Sequence, residues 1–223
     1  MSKKESTLTN MILSLALIAV LAAAALAGVY LLTKDSIDNV QAQKKQSALN
    51  AVLPGFDGSI VPVPTTIPGD KDPVTVNVAV NKDNTLFGAA VETYTNKAFG
   101  GTFTLMVGFD VDGNILGTEV IKAAETPGLG DKINKNKSNF AEQFVGMNPI
   151  AAGSELKVKK DGGEVDAITA ATISSRAYCD AVNRAAVAFQ GTKEIALPKV
   201  MPGLKINTNN TPTEAEEKGV DNE

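Results

Sequence analysis

Between Met11 and Leu32 the chain reads MILSLALIAVLAAAALAGVYLL, without one charged residue. A helix rising about 1.5 Å per residue needs about 20 such residues to cross the hydrocarbon of a bilayer. The run therefore predicts a transmembrane helix over 11–33, preceded by a short head over 1–10. Lys3 and Lys4 lie before it, and Lys34 and Asp35 close it. A cleaved signal peptide is the competing reading, because Ala25-Leu26-Ala27 fits an A-x-A cleavage site. A usual signal core has only about 7–15 apolar residues, whereas this run continues past Ala27 through Val29, Tyr30, Leu31 and Leu32. Its length favours a retained anchor. Lys34, Lys44 and Lys45 on the far flank balance Lys3 and Lys4, so the positive charges do not set its orientation.

The segment 34–72 reads as a polar helix from Lys34 to Val52 and then a Pro-rich linker. Ile37, Val40, Ala48, Ala51 and Val52 give the helix a partial apolar stripe. Pro54 and Gly55 end it. Pro62, Pro64, Pro68 and Pro73 predict a loop or an extended edge. Val74 to Val80 then alternates with period two, a strand pattern. Leu86–Tyr94, Thr102–Phe109 and Ile115–Ile121 are further strands, the last two joined by a turn at Asp112-Gly113. Asn136–Met147 reads as a helix and Leu156–Val158 as a short strand. Ser174–Gln190 carries Tyr178, Val182, Ala185, Ala186 and Phe189 at helical steps. The expected fold class is α+β: one transmembrane helix followed by a mixed α+β domain over 73–200. The remainder, 201–223, is polar, acidic and without apolar period, and predicts a disordered tail.

Absences narrow the chemistry. The chain has no histidine and one cysteine, Cys179. That removes Ser-His-Asp and Cys-His nucleophiles, the common zinc and haem ligand sets, an internal disulfide and a four-thiolate iron–sulfur cluster. No metal ligands are expected, and Cys179 reads as a small core residue. A net charge of −4 argues against a nucleic-acid partner. A redox role would require an organic cofactor.

Two segments could hold one. Asp166-Ala-Ile-Thr-Ala-Ala-Thr-Ile-Ser-Ser-Arg176 sets hydroxyls at Thr169, Thr172, Ser174 and Ser175 among small residues, just before a helix. Free N–H groups and the positive dipole end of that helix suit a phosphate, and Arg176 could add charge-assisted bonds. Alone, the pattern reads more simply as a helix capped by Ser174 or Ser175. The other segment, Glu125-Thr-Pro-Gly-Leu-Gly-Asp-Lys-Ile133, is a constrained loop. It has neither the spacing of a dinucleotide fingerprint nor that of a P-loop.

Together, ETPGLGDKI and DAITAATISSRA resemble the two signature segments of the FMN-binding domain in the G subunit of Rnf-type electron-transport complexes. GGTFTLMVGFDVDGNILG is similar to the strand pair before the first signature. AQKKQSALNAVLPG is similar to the helix after the anchor, and VKKDGGEVDAIT leads into the second signature. The resemblance covers about residues 8 to 190.

The resemblance implies FMN joined through its phosphate to Thr172, the last residue of a Ser/Thr-Gly-Ala-Thr motif in which Thr169 and Ala171 also take part. Asp166 would be the acidic residue upstream. Ser174 and Arg176, with Glu125, Thr126, Gly128, Leu129 and Gly130, would complete the flavin site. Ala170 stands where the family has glycine, and a positive φ there would strain alanine by about 1 kcal/mol. A flavin transferase using FAD, the other subunits of a membrane electron-transport complex and membrane lipid are the implied partners. The flavin domain would lie on the extracytoplasmic face of the bacterial inner membrane. The complex would couple electron transfer between ferredoxin and NAD to ion transport. The C subunit of the sodium-translocating NADH:quinone oxidoreductase is the near alternative. A single-pass structural protein without a redox role is the distant one.

Overall fold

The computed structural model describes residues 8–70, 73–151, 153, 155–193, 201 and 203–205. The chain divides into two units, 1–45 and 46–223, and helix α1 (Leu8–Val52) contributes to each.

In the first unit the side chains of Leu13, Leu15, Leu17, Ile18, Leu21 and Leu26 are all exposed. A helix that is apolar all round must find an apolar solvent. None of the most apolar 18-residue window of α1, mean hydropathy 2.7, is buried in the protein. By length and composition it reads as a single membrane-spanning helix. Two of its hydroxyls bond back to the helix: Ser14 Oγ donates to Met11 O at 3.0 Å and Thr33 Oγ1 to Val29 O at 2.9 Å, as hydrocarbon favours.

The second unit is built on an antiparallel sheet in the order β1-β2-β3-β4-β5. Its strands are β1 (Ser59–Thr65), β2 (Val74–Val80), β3 (Leu86–Ala98), β4 (Gly101–Asp110) and β5 (Ile115–Lys122). Alternation assigns the two faces. Val78, Val80, Ala89, Val91, Leu105 and Val107 face helix α2 (Thr172–Gly191), in the main core with Tyr178, Val182 and Phe189. Ala79, Ala90 and Met106 face the other way, against Ala48, Val52 and Leu53 at the end of α1. Glycine permits that approach, since a Cβ on Gly108 would stand 2.0 Å from Val52 O. Tyr178 is fully buried and donates to Thr118 Oγ1 at 2.7 Å, which ties α2 to β5. Cys179 is buried beside it, and burial pushes its thiol up to about 12.

Of the loop or extended edge expected for the Pro-rich segment, the edge is what forms: β1 pairs with β2 from Ser59↔Val80 to Thr65↔Val74, and its prolines are tolerated because the strand is at the sheet edge. Several other elements differ from expectation. The helix expected over 136–147 is a 3₁₀ turn, Phe140–Phe144. Gly146 turns out of it at φ 81°, and Gly146 and Met147 pair with Ile115 instead. The strand expected at Leu156–Val158 is a single bridge, Val158↔Val165, around a 3₁₀ turn at Lys159–Asp161 that ends at Gly162, φ 83°. Helix α2 begins two residues before the expected Ser174. Of the expected tail, Lys205 is held on β3: Leu86 N donates to Lys205 O and Lys205 N to Asn84 O. Residues 206–223 lie outside the described residues.

Candidate functional site

The segment before α2 folds back on itself. Ala171 N donates to Ile168 O at 3.0 Å, closing a turn in which Ala170 adopts φ 61°. That is the left-handed region, at the turn position that favours glycine, so alanine here carries the strain that a positive φ implies. Ala171 is the N-cap residue, with no side-chain cap. Neither serine caps the helix. Ser175 Oγ accepts from Ile168 N–H at 2.9 Å and donates to Ala171 O at 3.0 Å, which locks the turn onto the first turn of α2. Ser174 faces elsewhere.

Ser174 Oγ donates to Glu125 Oε2 at 2.7 Å, and Glu125 Oε1 accepts from Gly100 N–H at 3.1 Å. Both side chains are buried, Ser174 to 1% exposure and Glu125 to 9%. A carboxylate so withdrawn from water needs such donors. Gly130 packs onto this pair: a Cβ there would lie 2.3 Å from Glu125 Oε2 and 2.7 Å from Ser174 Oγ. Three chain segments thus meet at one buried carboxyl group.

Beside that junction opens a cavity of about 350 Å³, lined by Glu125, Thr126, Leu129, Gly130, Ala170, Ala171, Thr172, Ile173, Ser174 and Phe99. The volume is that of a small-molecule site, about 300–1,000 Å³. Thr172, first residue of α2, stands at its edge. Among the described residues its hydroxyl is approached by Lys160 Nζ at 3.5 Å. Glu125, Thr126, Leu129, Gly130, Ala171, Thr172 and Ser174 are therefore together.

Gly128, at φ 77°, shapes the loop without lining the cavity. Thr169 is exposed on the turn. Asp166 is exposed, paired with Lys159 Nζ at 2.7 Å, and its N–H donates to Gln143 Oε1 at 2.7 Å. Arg176 is engaged away from the cavity: Nε and Nη2 reach the two oxygens of Asp161 at 2.6 and 2.7 Å. It lines a separate cavity of about 410 Å³ with Asp161, Lys157 and Lys97. Sequence reasoning passes over Phe99, Gly100, Ile173 and Lys160. Phe99 and Gly100 carry a signal, the paired glycines of a tight turn; Lys160 carries none beyond its charge.

The family model for the FMN-binding domain matches residues 98–187, a span that contains every residue of the cavity, and that for the RnfG N-terminal region matches residues 5–52. Among its relatives, the G subunit of the ion-translocating oxidoreductase complex of Haemophilus influenzae (strain PittEE) is 38% identical over 181 residues, covering 78% of this chain and 86% of that one. The G subunit from Yersinia pestis is 36% identical over 187 residues, covering 80% and 88%. The C subunit of the Na⁺-translocating NADH-quinone reductase of Parabacteroides distasonis shares the fold, with a TM-score of 0.53 at 19% identity, covering 72% of this chain and 96% of that one. With a cavity built from both signature segments and this likeness over most of its length, the chain belongs to the family of G subunits of the ion-translocating oxidoreductase complex.

Proposed function

We propose that this chain carries FMN as a phosphoester on Thr172 and relays electrons within a membrane-bound, ion-translocating complex. The observation that carries the reading is the convergence of the two motif loops on one cavity, with Thr172 among its lining residues. The cavity suits the group. Exposed large apolar side chains described in the second unit are Phe99, Leu129, Val145, Ile173 and Val187, and three of them, Phe99, Leu129 and Ile173, border it. Such clustering marks a binding surface more than scattered residues do. Gly130, also on the cavity wall, has no room for a side chain because Glu125 and Ser174 fill the Cβ position. The N-terminus of the 20-residue helix α2 supplies N–H groups and a dipole end for a phosphate.

A covalent bond needs a hydroxyl with no competing duty. Of the hydroxyls in the first turn of α2, Ser174 and Ser175 are committed to short hydrogen bonds, whereas Thr172 has the longer 3.5 Å contact with Lys160 Nζ, which favours Thr172 as the acceptor within that turn. Its Oγ1 would form the new P–O bond to the riboflavin-side phosphorus of FAD, break the pyrophosphate P–O bond and release AMP, while the hydroxyl proton is lost. A flavin transferase would carry out this step, with Asp166 near the acceptor turn assisting it. When bound, FMN supplies one- and two-electron chemistry; the protein binds and orients it.

Helix α1 would tether the flavin unit to the bacterial inner membrane, with that unit on the extracytoplasmic side. Electrons passing between ferredoxin and NAD through the other subunits would drive ion transport. The test is the intact mass of the full chain, with fluorescence of the denatured polypeptide. The parent should carry one FMN on the peptide containing Thr172, and Thr172→Val should carry none. Fluorescence that survives in Thr172→Val would move the site and defeat this assignment.

A further inference from the structure

Cations crowd the first turn of α2, and nearly all are already paired. Arg176 holds Asp161 through two bonds, and Lys159 holds Asp166. Lys97 holds Asp180 at 2.6 Å, and Lys157 lies 4.0 Å from Glu155. Lys160 differs. Among the described residues it has no carboxylate partner within ion-pair distance, and its ammonium lies beside Thr172 Oγ1. From these pairings we infer that Lys160 is the counter-charge for the phosphate on Thr172, and that Arg176 is the strut that delivers it.

The strut follows from register. Thr172 and Arg176 are four residues apart on α2, so they stand one above the other on one face of the helix. Lys160 and Asp161 are consecutive in the 3₁₀ turn that faces them. The Arg176–Asp161 fork fixes one rung and so sets the next, Thr172–Lys160. The turn itself is held by Lys159 N to Val165 O at 2.8 Å and Val165 N to Lys157 O at 3.1 Å, and Gly163 packs where a Cβ would meet Lys157 O at 2.0 Å. The cation expected from sequence to reach the phosphate is thus spent on geometry. A neighbouring one, with no carboxylate within ion-pair distance among the described residues, faces the acceptor. A phosphodiester brings one negative charge to that place, and a charge-assisted bond can form without breaking any existing pair.

This inference rests on FMN attachment at Thr172, and one experiment separates the two. The full chain in detergent, made with and without its flavin transferase, is acylated with dilute acetic anhydride and its lysines are mapped by peptide mass. Lys160 should react about two- to fivefold more slowly in the flavinylated chain, the range expected of one surface charge pair. Protection should fade in high salt, while Lys159 and remote Lys82 react alike in both forms. Lys160→Glu should slow flavin incorporation several-fold, and Lys160→Arg should keep the parent rate. Flavin on Thr172 with Lys160 unprotected, or with incorporation indifferent to Lys160→Glu, overturns this inference alone. No flavin on Thr172 in the parent chain defeats the attachment reading, and this inference with it.

Discussion

Ser174 Oγ and Glu125 Oε2 are 2.7 Å apart, a buried contact that spans 49 residues of sequence and joins the two signature segments. Gly130 completes it by leaving room that no other residue would leave. Gly130→Ala must push the carboxyl or the hydroxyl aside, at a cost of about 1–3 kcal/mol for overpacking a closed site. The variant should melt lower than the parent and accept less flavin. Glu125→Gln keeps shape, its carbonyl still accepting from Gly100 N–H and its amide donating to Ser174 Oγ in a reversed bond, so it should be the milder change. A Gly130→Ala chain as stable as the parent would mean the close contact is not maintained in solution.

Ala170 at φ 61° carries strain that glycine would not. Relief of a left-handed alanine amounts to about 1 kcal/mol, partly offset by the greater freedom of glycine in the unfolded chain. Ala170→Gly should therefore raise the melting temperature by up to about 2–4 °C for a domain of this size, with flavin occupancy unchanged. A lower melting temperature would show that the turn relaxes around alanine without strain.

The Arg176–Asp161 fork has a pH signature. The Arg176 guanidinium holds the Asp161 carboxyl below the usual carboxylate range, chiefly through its hydrogen bonds, and Asp161 in turn holds Arg176 above its ordinary value. A carboxyl depressed in the folded state stabilises the fold above its unfolded value of about 3.9. That contribution is lost as pH falls through the lower folded value. Carboxyl NMR of Asp161 should titrate below the reference aspartate in the parent and move up in Arg176→Gln. Identical midpoints in the two proteins would remove the fork from the account of how Lys160 is positioned.

Much of this architecture was legible because its signals are local. Alternation marks β2, the Asp112-Gly113 turn marks the β4–β5 hairpin, and helical spacing from Tyr178 to Phe189 marks α2 without reference to any partner. Local signals also mislead. Phe140 and Phe144 have the spacing of a helix, but Ser138 and Gly146 confine them to one tight turn. The prolines of β1 leave a loop and an extended edge both open, and only the pairing with β2 decides for the edge strand. The site was half legible: glycines and hydroxyls announced two loops. That Arg176 pairs with Asp161 depends on a turn at Gly162 that brings Asp161 back to α2, and no spacing rule contains that contact.

The flavin unit should be inert toward nicotinamide without its neighbours. The chain has no histidine and one cysteine, and that cysteine is buried with its thiol pushed up to about 12, far from a reactive thiolate. The loop around Gly128 and Gly130 lacks the fingerprint that seats a nicotinamide dinucleotide. The cavity beside Thr172, about 350 Å³, is small for a flavin and a nicotinamide stacked together. Electrons should therefore enter and leave through redox centres on other subunits. The full flavinylated chain, purified away from those subunits in detergent, is mixed in stopped flow with dithionite and separately with NADH. Dithionite should bleach the flavin absorbance quickly, and NADH should leave it unchanged on the same timescale. Rapid bleaching by NADH alone would make this chain a dehydrogenase in its own right and end the relay assignment.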